Sequence, residues 1–163
     1  MMYHTSRIEL SRAALRSNLS FLKKRIGDAA RLVVVVKGNA YGHGIDPFVP
    51  MAERLGVRHF SVASSFEASS VLEVASPDAT ILIMGILYSA DLPWVIERGI
   101  EFYVFDLARL EEAARVARAV GRPAHIHLEV ETGGNRLGLP MADLDRAIPI
   151  LKKEKTHLRF VGL

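Results

Sequence analysis

The 163 residues contain no cysteine, which excludes a disulfide framework, a thiolate zinc site and thiol catalysis. An excess of one charge is also missing. The 21 Lys+Arg against 18 Asp+Glu leave a net charge of only +3, and no four basic residues are consecutive. So small a surplus argues against nucleic acid as a partner. Long hydrophobic runs are absent too: Leu32–Val36 and Ile81–Tyr88 fall well short of the roughly 18–20 apolar residues of a membrane helix. His4, Arg7 and Glu9 break up the N-terminal stretch, which therefore does not read as a signal peptide. A cytoplasmic protein with no membrane or nucleic-acid partner is the expectation. What is present is half apolar, with a mean hydropathy of +0.19, and such a composition folds rather than staying disordered.

Short apolar runs alternate with helix-period segments. Ser11 reads as the N-cap of a helix carrying Leu15, Leu19, Leu22 and Ile26 on one face, with Gly27 ending it. Leu32–Lys37 is a β-branched run suited to a strand covered on both faces. Asp46 and Pro47 open a helix that Gly56 closes, and His59–Ala63 follows as a strand. The spacing then predicts a helix over Ser65–Ala75, a turn at Ser76-Pro77-Asp78 and a strand over Thr80–Met84. Asp91 begins a short helix ended by Gly99, before a strand over Glu101–Phe105. Asp106 caps a long helix, Leu107–Val120, that stops at Gly121. A strand over Ala124–Val130, a helix over Met141–Lys152 and an apolar run at Leu158–Leu163 complete the chain.

This rhythm of βα units makes the class α/β with a parallel sheet. Six strands with a helix after each of the first five fit either an open doubly wound sheet or part of a (β/α)8 barrel. A whole barrel usually takes about 250 residues, more than this chain has.

Two stretches carry candidate chemistry. The first is Lys37-Gly38-Asn39-Ala40-Tyr41-Gly42-His43-Gly44. Strand alternation puts Lys37 on the side of Val33 and Val35, with Val34 and Val36 opposite. Lys37 ends its strand, and the functional end of a parallel α/β sheet is where strands finish. A lysine emerging from an apolar run is open to desolvation, which frees the amine as a nucleophile for Schiff-base chemistry. The glycines allow tight turning and close ligand approach, but neither phosphate-loop spacing, GxGxxG or GxxxxGK[ST], is present. The second stretch is His125-Ile126-His127-Leu128-Glu129-Val130, followed by Glu131-Thr132-Gly133-Gly134-Asn135-Arg136-Leu137-Gly138. Its apolar set faces one way, and its polar set, His125, His127 and Glu129, faces the other. In a barrel the polar set points inward. His-x-His-x-Glu on one face also admits zinc, but no further ligand is evident, and a hydrogen-bonded histidine pair within the sheet is the plainer reading.

The first stretch resembles the cofactor-lysine motif of bacterial alanine racemases, K-A-N-A-Y-G-H-G, from which only Gly38 departs. The second resembles their H-L-K-V-D-T-G-M-G-R-L-G. The resemblance implies that Lys37 is the catalytic lysine and binds pyridoxal 5'-phosphate covalently. It implies that Tyr41 contacts the cofactor phosphate, and that Arg136 contacts the cofactor phenolic oxygen and the substrate carboxylate. Asn39 and His127 stand as supporting residues, and His43 as a residue of the turn. Glu129 stands where many of these racemases carry a carbamylated lysine. A glutamate supplies a negative charge directly, and a charge-assisted hydrogen bond from Arg136 to Glu129 is expected. No metal is implied. Gly134 and Asn135 depart from the common loop, so serine, lysine or a broad substrate range stands beside alanine.

For the whole chain, the resemblance implies the first five to six βα units of a (β/α)8 TIM-type barrel that binds pyridoxal phosphate. Residues 1–163 would be its N-terminal portion, with the remaining strands and a C-terminal β domain absent. The family acts on amino acids as homodimers, and the second acid/base group, a tyrosine, comes from the partner's C-terminal domain. The chain by itself is then expected to be inactive. Two other readings remain: a non-catalytic piece that keeps the lysine for structure, and another pyridoxal-phosphate enzyme on this barrel, such as a decarboxylase. The Tyr41-Gly42-His43-Gly44 ending speaks against the decarboxylase.

Overall fold

Helix caps set most of the boundaries. In the computed structural model, which describes residues 6–163, Ser11 Oγ accepts the Ala14 N–H at the start of α1 (Arg12–Ile26). Ser64 and Asp106 do the same for Glu67 and Arg109, opening α4 (Ser65–Val74) and α6 (Leu107–Val120). Each such side chain satisfies an N–H that has no partner inside its helix. The remaining helical segments are α2 (Lys37–Tyr41), α3 (Ile45–Glu53), α5 (Leu92–Glu97) and α7 (Met141–Lys153). The strands are β1 (Val34–Val35), β2 (His59–Val62), β3 (Thr80–Ile83), β4 (Glu101–Val104), β5 (Ala124–Leu128) and β6 (Leu158–Gly162).

All six strands are parallel and lie in chain order, β1 to β6. A doubly wound sheet reverses its strand order at a switch point, and this sheet has no reversal. The arrangement is therefore that of consecutive βα units of a (β/α) barrel. Alternation along each strand separates two environments. Phe60, Val62, Ile81, Ile83, Phe102, Val104, Ala124, Ile126, Leu128 and Leu158 are buried and pack into the same core as helix residues such as Val71, Leu110 and Ala147. The opposite, concave face carries His59, Thr80, Glu101, Tyr103, His125 and His127, all half-buried.

The structure shortens two strands by more than one residue relative to the sequence expectation. The run Leu32–Lys37 is paired as strand only at Val34–Val35. β1 is an edge strand with a single neighbour, and the chain leaves the ladder at Val36, whose N–H still donates to Ser61 O at 2.8 Å. Lys37 begins a helical turn instead of ending a strand. The faces are nonetheless as alternation requires, with Val36 fully buried and Val33 41% exposed. The strand expected over Ala124–Val130 ends at Leu128, and Val130 forms an isolated parallel bridge with Leu139. The intervening loop folds tightly on itself. At Gly138 (φ +123°) an added Cβ would lie 2.6 Å from the Glu131 backbone nitrogen, so only glycine fits. Among the described residues, no helix is long and apolar enough to cross a membrane.

Phe102, wholly buried at the middle of the sheet, gives a measure of this core. Phe102→Ala is expected to destabilise the fold by about 3–5 kcal/mol, read from chemical denaturation midpoints. A change below 1 kcal/mol would contradict the packing described.

Candidate active site at the carboxyl ends of the strands

The turn after β1 is left-handed. Gly38, Asn39, Ala40 and Tyr41 all have φ between 53° and 61°. Left-handed helical backbone costs L-residues roughly 1–2 kcal/mol each, least for glycine and asparagine. Internal bonds hold it: the Ala40 N–H donates to Val36 O at 2.8 Å, Gly42 to Gly38 O at 2.9 Å and Gly44 to Asn39 O at 2.9 Å. Asn39 contributes its side chain as well. Its Oδ1 accepts the Ile45 N–H at 2.8 Å, satisfying a first-turn donor of α3. Ala40 is buried as the anchor of the turn, while Lys37, Tyr41 and His43 are exposed. The side chain that alternation turns toward the concave face, Lys37, thus stands at the carboxyl end of β1 with its amine open to a ligand.

Along the same rim, toward the opposite edge of the sheet, a cavity of about 440 Å³ is lined by Met84, Tyr103, Leu128, Glu129, Val130, Arg136 and Leu163. Glu129, Val130 and Arg136 also line an adjoining cavity with Glu131, Thr132 and Leu137. The expected Glu129–Arg136 hydrogen bond is not made, although the two residues share both cavities. The loop backbone is held by Glu131 instead. Its carboxylate accepts the N–H groups of Gly133 and, at 3.3 Å, of Arg136. The backbone N–H groups of Asn135, Gly133 and Arg136 keep the Glu131 carboxyl below its ordinary pKa. Arg136 is exposed, and among the described residues its guanidinium makes no ion pair. Lys37 lines neither cavity: the structure places it and Arg136 at the carboxyl ends of β1 and β5, with three strands between them.

Below this rim the concave face holds a polar network. His127 Nε2 lies 2.8 Å from Glu101 Oε2, and its ring centroid is 5.5 Å from that of Tyr103. The histidine pair of the sequence reading is therefore not a pair, since His127 bonds to Glu101. That hydrogen bond, aided by the charges of His127, His125 and His59, holds the Glu101 carboxyl below 4.5 against its burial. Burial raises the Tyr103 phenol, and the Glu129 charge raises it further. His125 is lowered by burial and by the Arg159 charge. Sequence reasoning missed Glu101, Tyr103 and Glu67. For Glu67 a signal existed in Ser64-x-x-Glu67, the capping-box spacing. For Glu101 and Tyr103 the only signal was the inward phase of their strand.

The chain matches the family model for "Alanine racemase, N-terminal domain" over residues 10–163. It is 38% identical over 160 residues to an alanine racemase of Geobacter sp. (strain M21), covering 96% of this chain and 41% of that protein. Among solved structures, the alanine racemase of Oenococcus oeni superposes with a TM-score of 0.86 at 28% identity, over 96% of this chain and 42% of that one. A histidine racemase of Leuconostoc mesenteroides subsp. sake superposes with a TM-score of 0.82 at 25% identity, over 94% and 41%. The chain thus spans about two fifths of the length of these proteins.

The concave-face network gives stability a defined pH dependence. His125 is harder to protonate folded than unfolded, so stability falls as pH drops from 6.5 toward its lowered folded value. Glu101 binds its proton less readily folded, so its contribution is complete above 4.5 and is lost as pH falls through its lowered value. Two stages of acid destabilisation are expected in denaturant midpoints. His125→Asn should remove the upper stage and His127→Asn should weaken the lower one; an unchanged acid profile in both variants contradicts the assignment.

Proposed function

The chain belongs to the alanine racemase N-terminal domain family, and from that premise we propose that it carries the cofactor lysine of an amino-acid racemase, with alanine as substrate. The observation that carries the reading is the placement of Lys37. An exposed amine stands at the carboxyl end of a parallel barrel-type strand, on a left-handed turn built by Gly38-Asn39-Ala40-Tyr41. In this reading residues 1–163 form the N-terminal part of a pyridoxal-phosphate barrel. The remaining strands, a C-terminal β domain and a homodimeric partner belong to the whole protein, and a cytoplasmic location goes with them.

The donor set suits pyridoxal phosphate. An amine, a phenol and a guanidinium at one end of the sheet match an aldehyde, a phosphate and a phenolate. Lys37 would hold the aldehyde carbon through Nζ, Tyr41 would hold the phosphate through its hydroxyl, and Arg136 would donate to the phenolic oxygen and the substrate carboxylate. The planar guanidinium presents paired donors to both anions and stays charged throughout. When bound, the cofactor supplies an electron sink for charge developing at the substrate Cα. Once the substrate amine has displaced Lys37 from the aldehyde carbon, the freed Lys37 Nζ would exchange the Cα proton on one face. Glu129 lines the same cavity as Arg136.

A second reading, a racemase of other specificity, is favoured by Gly134 and Asn135 in the loop that carries Arg136 and by the likeness to a histidine racemase. Racemisation assays with the full-length protein over alanine, serine, lysine and histidine separate the two.

Borohydride reduction in the presence of pyridoxal phosphate, followed by peptide mass spectrometry, tests the central claim. The pyridoxyl group is expected on Lys37 and absent in Lys37→Ala, which also loses all racemisation in the full-length protein. Labelling elsewhere, with Lys37 unmodified, overturns the reading.

A further inference from the structure

The left-handed turn that carries Lys37 contains three non-glycine residues at positive φ, Asn39, Ala40 and Tyr41. Such backbone persists only where its surroundings over-determine it. Its internal bonds close the turn on itself but do not tie its first residues to the neighbouring strand. One side chain from elsewhere in the sequence does so. Glu67, on the first turn of α4, accepts the Gly38 N–H on Oε1 at 2.7 Å and the Ala63 N–H on Oε2 at 2.8 Å. One carboxylate thereby bridges the residue after Lys37 and the residue that follows β2.

This is more than a helix cap. In a capping box the glutamate reaches back to the N–H of its own cap residue, here Ser64. Ser64 Oγ does take the Glu67 N–H at 3.2 Å. The Glu67 carboxylate, however, reaches one residue further back, to Ala63, and across 29 positions to Gly38. Both bonds are short and charge-assisted, the strong class for an amide donor. Glu67 is also half-buried at a helix N-terminus, where the helix dipole favours the negative charge.

We infer that Glu67 is the positioning residue of the Lys37 turn, clamping the backbone beside the lysine to the end of β2 so that Nζ is presented in one place. The inference rests on the reading of Lys37 as the cofactor lysine, while the clamp itself is a statement about two amides. Glu67→Ala removes both bonds. Glu67→Gln keeps one acceptor oxygen and turns the other position into a donor facing a donor.

The test compares wild type, Glu67→Ala and Glu67→Gln by titration with pyridoxal phosphate, reading the absorbance of the Lys37 adduct and its borohydride-trapped yield. Amide hydrogen exchange at Gly38 and Ala63 is read alongside. The alanine variant is expected to lose about tenfold or more in apparent cofactor affinity, the scale of a charge-assisted hydrogen bond. The glutamine variant should fall between it and wild type. Exchange at Gly38 should accelerate while the amides of β4 stay protected. Wild-type affinity and wild-type Gly38 exchange in the alanine variant overturn the inference. If wild type itself takes no label on Lys37, the functional reading fails, and the exchange data alone then judge the clamp: faster at Gly38 supports it, unchanged refutes it. Should the alanine variant not fold, the glutamine variant is judged by the same two readouts.

Discussion

The two-residue period of a parallel strand governs this molecule. Every strand from β2 to β5 sends alternate side chains outward under the helices, and those positions hold Phe60, Val62, Ile81, Ile83, Phe102, Val104, Ile126 and Leu128, all buried. Once that set is fixed, the other set has no choice of side. His59, Glu101, Tyr103, His125 and His127 must line the concave face, where a polar network costs little only if its members satisfy one another. Glu101 and His127 do so diagonally across the β4–β5 ladder, in which His127 is in register with Tyr103. Among the described residues, no buried side-chain nitrogen or oxygen is left without a partner.

The same period delivers the chemistry to one rim. A residue just past a strand inherits the strand's phase but not its ladder, so it is free to take unusual backbone. The turn after β1 uses that freedom in left-handed geometry, and the loop after β5 uses it at Gly138. In both places a carboxylate stabilises the loop by accepting backbone N–H groups: Glu67 across the chain at the first, Glu131 locally at the second. Cationic side chains, Lys37 and Arg136, are displayed beside these anchored segments. Each anion is therefore engaged with backbone, and each cation is left available to a ligand.

The order of the elements was legible in the sequence because caps and periods are local. Ser11, Asp106, Gly27 and Gly121 mark helix ends within a few residues, and the apolar runs mark strands without reference to the rest of the chain. Lys37, Tyr41 and Arg136 stand out in the sequence as motif residues, and strand alternation puts Lys37 on the side of Val33 and Val35. What was not legible depends on distant partners. β1 pairs with β2, a partner that no window around Leu32–Lys37 contains. In the next turn, the Gly38 N–H donates to a glutamate 29 residues away. The Glu129–Arg136 bond was expected from the role of a lysine at that position in related racemases, but the loop between them follows Glu131, whose carboxylate lies closer to the backbone donors.

The contrast between the two carboxylates near Arg136 also bears on how such a site reaches a working state. Glu131 is engaged with backbone N–H groups, and its charge is already committed. Glu129 is half-buried, lines the cavity with Arg136, and raises the Tyr103 phenol by its charge. A carboxylate in that environment has an electrostatic reason to accept a guanidinium, and Arg136 sits on a short loop with glycines at 133, 134 and 138 that permit its side chain to swing. An anion arriving in the cavity would compete with Glu129 for the same donors. The guanidinium presents five of them in a planar fork, enough to serve a carboxylate on one edge and a ligand oxygen on the other.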